Sequence, residues 1–314
     1  MFKGGRSDAL RSGFHSGLGK GWEGFIWLLK IVIPISFLTS LLSWSGLLNR
    51  VDYLMHPFMD LVGLPSIAAL PILICLFTGI YGGIAAMSVL PLTRDEMTLM
   101  AIFMLMAHAL IQEGIIQGRS GLHPLKSTSF RLAAGLLTMI VAAQFLETGA
   151  GSQGGMGVPG GTGEPFLAML RAWSVGTLVL SAKIFLIIMT VLLALEILKA
   201  IGWIESIVKG ARPFLRVLGL SERVGTLWII AAFFGLGFGA AAIFEEVKEG
   251  KLGREELERL HLSIGINHSL IDDPALFLAL GLSPFWLWVP RLVMAIFAVR
   301  LLMVYQNLTR RYPG

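Results

Sequence analysis

The chain has 314 residues, of which 55% are hydrophobic and 14% charged, and its mean hydropathy is +0.76. A water-soluble domain of this size carries about a quarter charged residues, so the composition excludes one and indicates a membrane protein. One cysteine, Cys75, excludes a disulfide framework and a cysteine-based metal centre, and the net charge of +5 resides in Lys and Arg beside apolar stretches, where they orient the chain in a bilayer rather than bind nucleic acid.

Residues 1–24, with Lys3, Arg6, Arg11 and Lys20 among glycines and polar residues, read as a cytoplasmic basic leader; the apolar run after them is too long for a signal peptide. Apolar stretches follow at about residues 25–48, 66–92, 97–118, 130–146, 178–198, 224–244, 256–281 and 285–305. Each approaches the ~20 residues that cross the hydrocarbon core. A Gly-rich linker at 149–164 separates a first unit, 25–148, from a second, 165–305, and a cytoplasmic tail occupies 306–314.

The two units repeat each other. Aligning His56–Ala86 with Arg212–Ala242 pairs HPFMDLVGL with RPFLRVLGL and FTGIYGGIAA with FFGLGFGAAA, with identity at 10 of 31 positions. After a four-residue insertion in the second unit, His108 pairs with His268, Glu113 with Asp273 and Arg131 with Arg291. Shared membrane composition scatters Leu and Ala matches but does not align Pro, Gly, His and Arg in one register, so duplication explains the pattern.

Charge then predicts the topology. If the stretches 66–92 and 224–244 turn back at Gly79 and Gly235 as re-entrant helical hairpins, 18 basic residues flank the cytoplasmic side and 3 the other; eight full crossings give 12 against 9. The positive-inside rule favours hairpins. Each unit then has three spanning helices, one of them broken, so the repeats have opposite orientation and both termini are cytoplasmic. The predicted fold class is an all-α membrane protein of two inverted-topology repeats. A turn at membrane depth must face protein or a water-filled cavity, because lipid cannot satisfy its backbone. Gly79/Gly83 and Gly235/Gly239 also have the spacing of small-residue helix contacts, an alternative role for these glycines.

Helix breaks are expected at Glu113-Gly114 and at Asp272-Asp273-Pro274, where Pro and Gly weaken a helix. His268 and Asp272 are four apart and would share a helix face, as would His108 and Gln112, whereas Glu113 meets His108 only if the break turns it. Ionisable groups at membrane depth are costly and mark function. The set could bind a divalent cation or carry a coupling proton, or simply tie helices together. Arg131 and Arg291 begin the closing helices and read as interfacial, snorkelling residues. Lys183 and Glu196 sit near the ends of the span 178–198.

The VGLP…FTGIYGG and LGLS…FFGLGFG segments, with the amphipathic stretch before each, resemble the nucleoside-recognition, or Gate, family of membrane proteins. Related regions occur in bacterial ferrous-iron transporters and spore-maturation proteins, and the arrangement is similar to the core of concentrative nucleoside transporters. The resemblance covers most of Phe25 to Leu302. It implies, in each repeat, a scaffold helix, an interfacial helix, a re-entrant hairpin, a broken helix and a closing helix. It also implies that substrate is bound by the hairpin tips and broken helices, here Thr78, Gly79, Tyr81, Gly82, Gly83, His108, Gln112 and Glu113 of the first repeat. In the second they are Gly235, Gly237, Gly239, Asn267, His268, Asp272 and Asp273. The tips lack the Gln-Thr-Glu type sequence of the nucleoside transporters, and the broken helices lack their Asn-Glu pair, so the substrate stays open.

The chain has no P-loop, no HExxH and no recognisable nucleophile arrangement, so the expectation is a transporter or permease rather than an enzyme, with no cofactor and with the metal left open. Its expected partners are membrane lipid, a small polar or ionic solute, a coupling proton or cation and, as an open case, a second copy of the chain, in the inner membrane. The alternatives are a divalent metal-ion permease and a non-transporting assembly or maturation factor.

Overall fold

The computed structural model describes residues 6–148, 165–250 and 252–311, and these are helical apart from short connections. The Gly-rich linker 149–164 lies outside the described residues. The first unit comprises α1 (Arg6–Trp44), α2 (Leu47–Asp60), α3 (Ala69–Thr78), α4 (Ile80–Met87), α5 (Arg94–Met106), α6 (Leu110–Arg119) and α7 (Pro124–Ala143). The second comprises α8 (Phe166–Ala200), α9 (Ile204–Leu218), α10 (Glu222–Lys248), α11 (Arg254–Asn267), α12 (Asp272–Leu278) and α13 (Pro284–Arg311). Both units therefore run in the same order: a long helix, an amphipathic helix, two arms joined at a glycine, a helix interrupted near its middle, and a closing helix.

Among the described residues, five stretches are long and apolar enough to cross a membrane: Leu10–Trp44, Arg94–Arg119, Pro124–Ala143, Phe166–Ala200 and Pro284–Thr309. The sixth expected crossing, 256–281, is divided between α11 and α12. Large apolar side chains such as Trp27, Leu38, Leu167, Leu178, Leu186 and Leu301 are exposed on α1, α8 and α13. In contrast, every residue of α5 from Glu96 to Met106 and of α11 from Leu260 to Asn267 is buried. The broken helices thus form the centre of the protein, and the long helices present an apolar perimeter suited to lipid.

The sequence 6–24, read as a leader, is helical and continuous with the span in α1. Its glycines do not break the helix because they are spaced by full turns on one face and receive α8. A Cβ on Gly17 would stand 2.8 Å from Leu193 Cα, and one on Gly13 3.0 Å from the Glu196 carbonyl oxygen, so only glycine permits this approach. Glu196 is held here by Lys20 Nζ and Ser16 Oγ, each 2.7 Å from a carboxylate oxygen.

At Gly79 the backbone takes φ 90°, and at Gly235, within α10, φ 82°. L-residues are disfavoured there, and each glycine reverses the chain so that the following arm packs on the preceding one. A Cβ on Gly83 would lie 2.8 Å from Cys75 Cβ, and one on Gly239 2.7 Å from Ala231 Cα. In both units the touching residues stand four positions either side of the turn. The two roles expected for these glycines are therefore divided: Gly79 and Gly235 make the turns, while Gly83 and Gly239 let the arms close.

Candidate functional site

The interruptions lie at the histidines rather than five or six residues beyond them. Helix α5 ends at Met106 and α6 starts at Leu110; α11 ends at Asn267 and α12 starts at Asp272. Ala109 and Ser269, one residue past each histidine, adopt φ 42° and 48°, and they alone among the described non-glycine residues have positive φ. Tertiary hydrogen bonds hold them there: Ala109 N–H donates to Cys75 O at 3.1 Å, and Ser269 N–H to Ala231 O at 3.3 Å. Each acceptor belongs to the first arm of the glycine-linked pair in its own unit. Pro274 does not interrupt a helix because it stands in the first turn of α12, where no N–H is required; Asp272, Asp273 and, in α6, Glu113 occupy first turns, where the helix dipole favours acids.

The open ends of α5 and α11 are capped by arginine. Arg131 donates through Nε to Met106 O at 2.9 Å and through Nη2 to His108 O at 2.8 Å. Arg291 repeats this with Ile266 O at 3.1 Å and His268 O at 3.0 Å. Both are 0% exposed, which corrects the expectation that they snorkel to the interface. A guanidinium satisfies carbonyls that the broken helix cannot satisfy itself, with a positive charge at the negative end of the helix dipole. Their alignment in the repeat register was the available signal.

Between the half-helices, the imidazoles meet. His108 Nδ1–H donates to Met104 O at 2.8 Å and His268 Nδ1–H to Ile264 O at 2.9 Å; a carbonyl only accepts, so Nδ1 must be the donor in each. This turns the other ring nitrogens toward each other, with Nε2 to Nε2 at 3.1 Å. Glu113 Oε1 lies 2.8 Å from His108 Nε2 and 3.2 Å from His268 Nε2. Its Oε2 lies 2.7 Å from Arg131 Nη2. Asp273 Oδ2 stands 3.7 Å from His108 Nε2. All five side chains are buried, and Arg291 lies within electrostatic reach of Asp272 and Asp273.

The remaining expected site residues are placed less uniformly. Gly79 touches the first break, an added Cβ there standing 3.7 Å from Ala109 Cβ, and Gly235 touches the second, at 3.2 Å from Ser269 Oγ. Asn267, just before His268, is fully buried and its amide finds no hydrogen-bond partner among the described residues. Gln112 is exposed on α6 and does not neighbour His108, because the break separates them from a common helix. For the same reason Asp272 does not share a face with His268, and it is Asp273 that reaches His108; Asp272 Oδ1 is buried without a hydrogen-bond partner among the described residues. Thr78 is exposed and bonds Ile74 O at 2.8 Å. Tyr81 packs edge-on against Trp27 with centroids 5.3 Å apart, and Gly82 faces Ile74 and Ile35. Gly237 lies in the second arm of α10. Gln117, which the sequence did not single out, links the units by donating to His261 O at 3.2 Å, and within its own unit it accepts from Ser127 Oγ.

Residues 25–122 match the family model described as Gate, nucleoside recognition. Over 279 residues, 87% of this chain and 88% of its counterpart, the sequence is 23% identical to the uncharacterized membrane protein YvoD of Bacillus subtilis (strain 168). No solved structure matches. The apolar helices and the membrane-protein relative make this a multi-pass membrane protein, and over residues 25–122 it is similar to the Gate family.

Proposed function

We propose that the protein is a secondary transporter or permease for a small polar or ionic solute, working by alternating access around the His108/His268 cluster. The observation that carries this reading is that two interrupted helices, one from each unit, present histidine and carboxylate side chains to one buried point. Interrupted helices at membrane depth, with open termini and unwound backbone, are the means by which transporters built of two repeats bind solute.

In this reading the units are inverted repeats, α3 with α4 and the two arms of α10 are re-entrant hairpins, and both termini lie on the cytoplasmic side of the inner membrane. The charge distribution of 18 basic residues against 3 supports that orientation. The hairpin tips at Gly79 and Gly235 touch the breaks at Ala109 and Ser269. Movement of a hairpin would therefore be felt at the cluster, which is how access from one side could be opened while the other stays closed.

The test is a stabilisation screen of the purified chain in detergent against nucleosides, divalent cations, organic anions and lipid phosphates, followed by uptake into proteoliposomes. A solute that binds only the native state raises stability by RT ln(1 + [L]/Kd), about 2.7 kcal/mol at a hundred times Kd. Stabilisation and uptake by one solute class, both lost in Glu113→Gln, are the expected result. If no class stabilises the chain and no uptake is seen, the transporter reading fails in favour of an assembly or maturation role.

A further inference from the structure

We propose that His108, His268, Glu113 and Asp273 form a binding site for a divalent transition-metal ion of the imidazole- and carboxylate-preferring kind, shared between the two units. The inference deepens the preceding one by naming the class of ion that the cluster takes, and it rests on that reading only in treating the cluster as a ligand site.

His108 and His268 bring Nε2 atoms close to one another, to Asp273 and to Glu113 Oε1. Four-coordinate zinc holds nitrogen and oxygen ligands at about 2.0–2.1 Å, which puts neighbouring donors of a tetrahedron about 3.3 Å apart. The donor pairs around His108 and His268 stand at 2.8, 3.1, 3.2 and 3.7 Å, values that bracket this edge. The ligand atoms of His108, His268 and Asp273 all lie within 4.8 Å of one another.

The hydrogen bonds around the set point the same way. Each imidazole donates Nδ1–H to a backbone carbonyl of its own half-helix, the contact that fixes the tautomer of a metal-bound histidine and turns Nε2 toward the ion. Two Nε2 lone pairs and the Glu113 Oε1 lone pairs then converge, and acceptors cannot bond one another. One proton satisfies one pair of acceptors; a cation satisfies all of them. Glu113 Oε2, held by Arg131 at 2.7 Å, leaves Oε1 free to ligate.

Arg131 and Arg291 stand among the carboxylates of Glu113, Asp272 and Asp273. The absence of any thiolate among the donors favours zinc, manganese, cobalt or iron in the divalent state over cuprous copper. Ligands come from both units, so a bound ion would pin α5 and α6 to α11 and α12, and release would require the units to separate.

The full-length protein, purified in detergent and stripped with chelator, is titrated with Co²⁺ followed by visible absorption and with Zn²⁺ followed by calorimetry. The expected result is saturable, equimolar binding with the absorption of a low-coordinate Co²⁺ site, displaced by Zn²⁺. His108→Gln and His268→Gln, which keep a polar side chain of similar reach, should each weaken affinity at least about a hundredfold, since loss of even an outer-sphere partner costs 10–100-fold. Each variant is accepted only with wild-type helicity and elution volume, and wild-type stoichiometry supplies a readout that needs no variant. Folded wild-type protein that binds neither ion saturably overturns the proposal, as does binding unaffected by both substitutions. Organic-solute binding without metal binding sinks this inference and keeps the transporter reading. Metal binding without transport of any solute does the reverse.

Discussion

His108 Nε2 and His268 Nε2 meet at 3.1 Å across 160 residues of chain. The contact follows from three features present in both units: a glycine that turns the hairpin, a hairpin carbonyl that holds the next residue after the histidine at positive φ, and a buried arginine that caps the half-helix. None of these acts on the imidazoles directly, yet together they fix where the rings can point.

The arginine caps should carry stability rather than solute contact. Arg131→Met leaves Glu113 buried beside uncapped carbonyls, and removal of one partner of a buried ion pair costs about 3–5 kcal/mol. Arg291→Met should be similar. Lysine in either position keeps the charge without the fork that reaches two carbonyls, and should restore less than half of the loss. By comparison Lys126→Ala, which removes a half-exposed partner of Glu258, should cost less than about 1 kcal/mol. Reversible unfolding in mixed micelles measures all five; equal effects of Arg131→Met and Lys126→Ala would refute the capping role.

Gly79→Val and Gly235→Val test the hairpin turns. Positive φ with extended ψ, as at both glycines, costs an L-residue about 1–3 kcal/mol, and more for a β-branched side chain, so the turn should distort where it touches Ala109 or Ser269. Expression should remain largely intact while solute stabilisation is lost. Wild-type stabilisation in both variants would reduce these glycines to ordinary packing residues.

Membrane orientation is testable with single cysteines in a Cys75→Ala background. Arg94 and Leu125 are both exposed, and the inverted-repeat reading puts them on opposite sides. Arg94→Cys should react with an impermeant thiol reagent added outside spheroplasts; Leu125→Cys should react only after lysis. Outside labelling of Leu125→Cys would contradict the topology.

Much of this architecture could be read from the repeat register. Gly79 with Gly235, His108 with His268 and Glu113 with Asp273 all came from aligning the units, and the structure brings His108, His268, Glu113 and Asp273 to one place. The positions of the breaks could not be read, because Ala109 and Ser269 have no helix-breaking chemistry and are held open by carbonyls of Cys75 and Ala231 that are distant in sequence. The expected pairings of Gln112 with His108 and of Asp272 with His268 assumed an intact helix, and the breaks at the histidines remove it. Arg131 and Arg291 were in the register as well, but hydropathy treats an arginine near a helix start as interfacial and has no means of seeing a carbonyl cluster beside it.

The central claim is that one buried site is made from both units. Its most direct test is the affinity of a stabilising solute or ion for Glu113→Gln, His268→Gln and the double variant. Groups in contact are expected to couple by about 0.5–3 kcal/mol, whereas independent sites add to within about 0.5 kcal/mol. Each single substitution should weaken binding at least about tenfold, and the double variant should bind distinctly better than the product of the two losses. Wild-type affinity in all three proteins, or strict additivity of the two losses, would contradict a shared site.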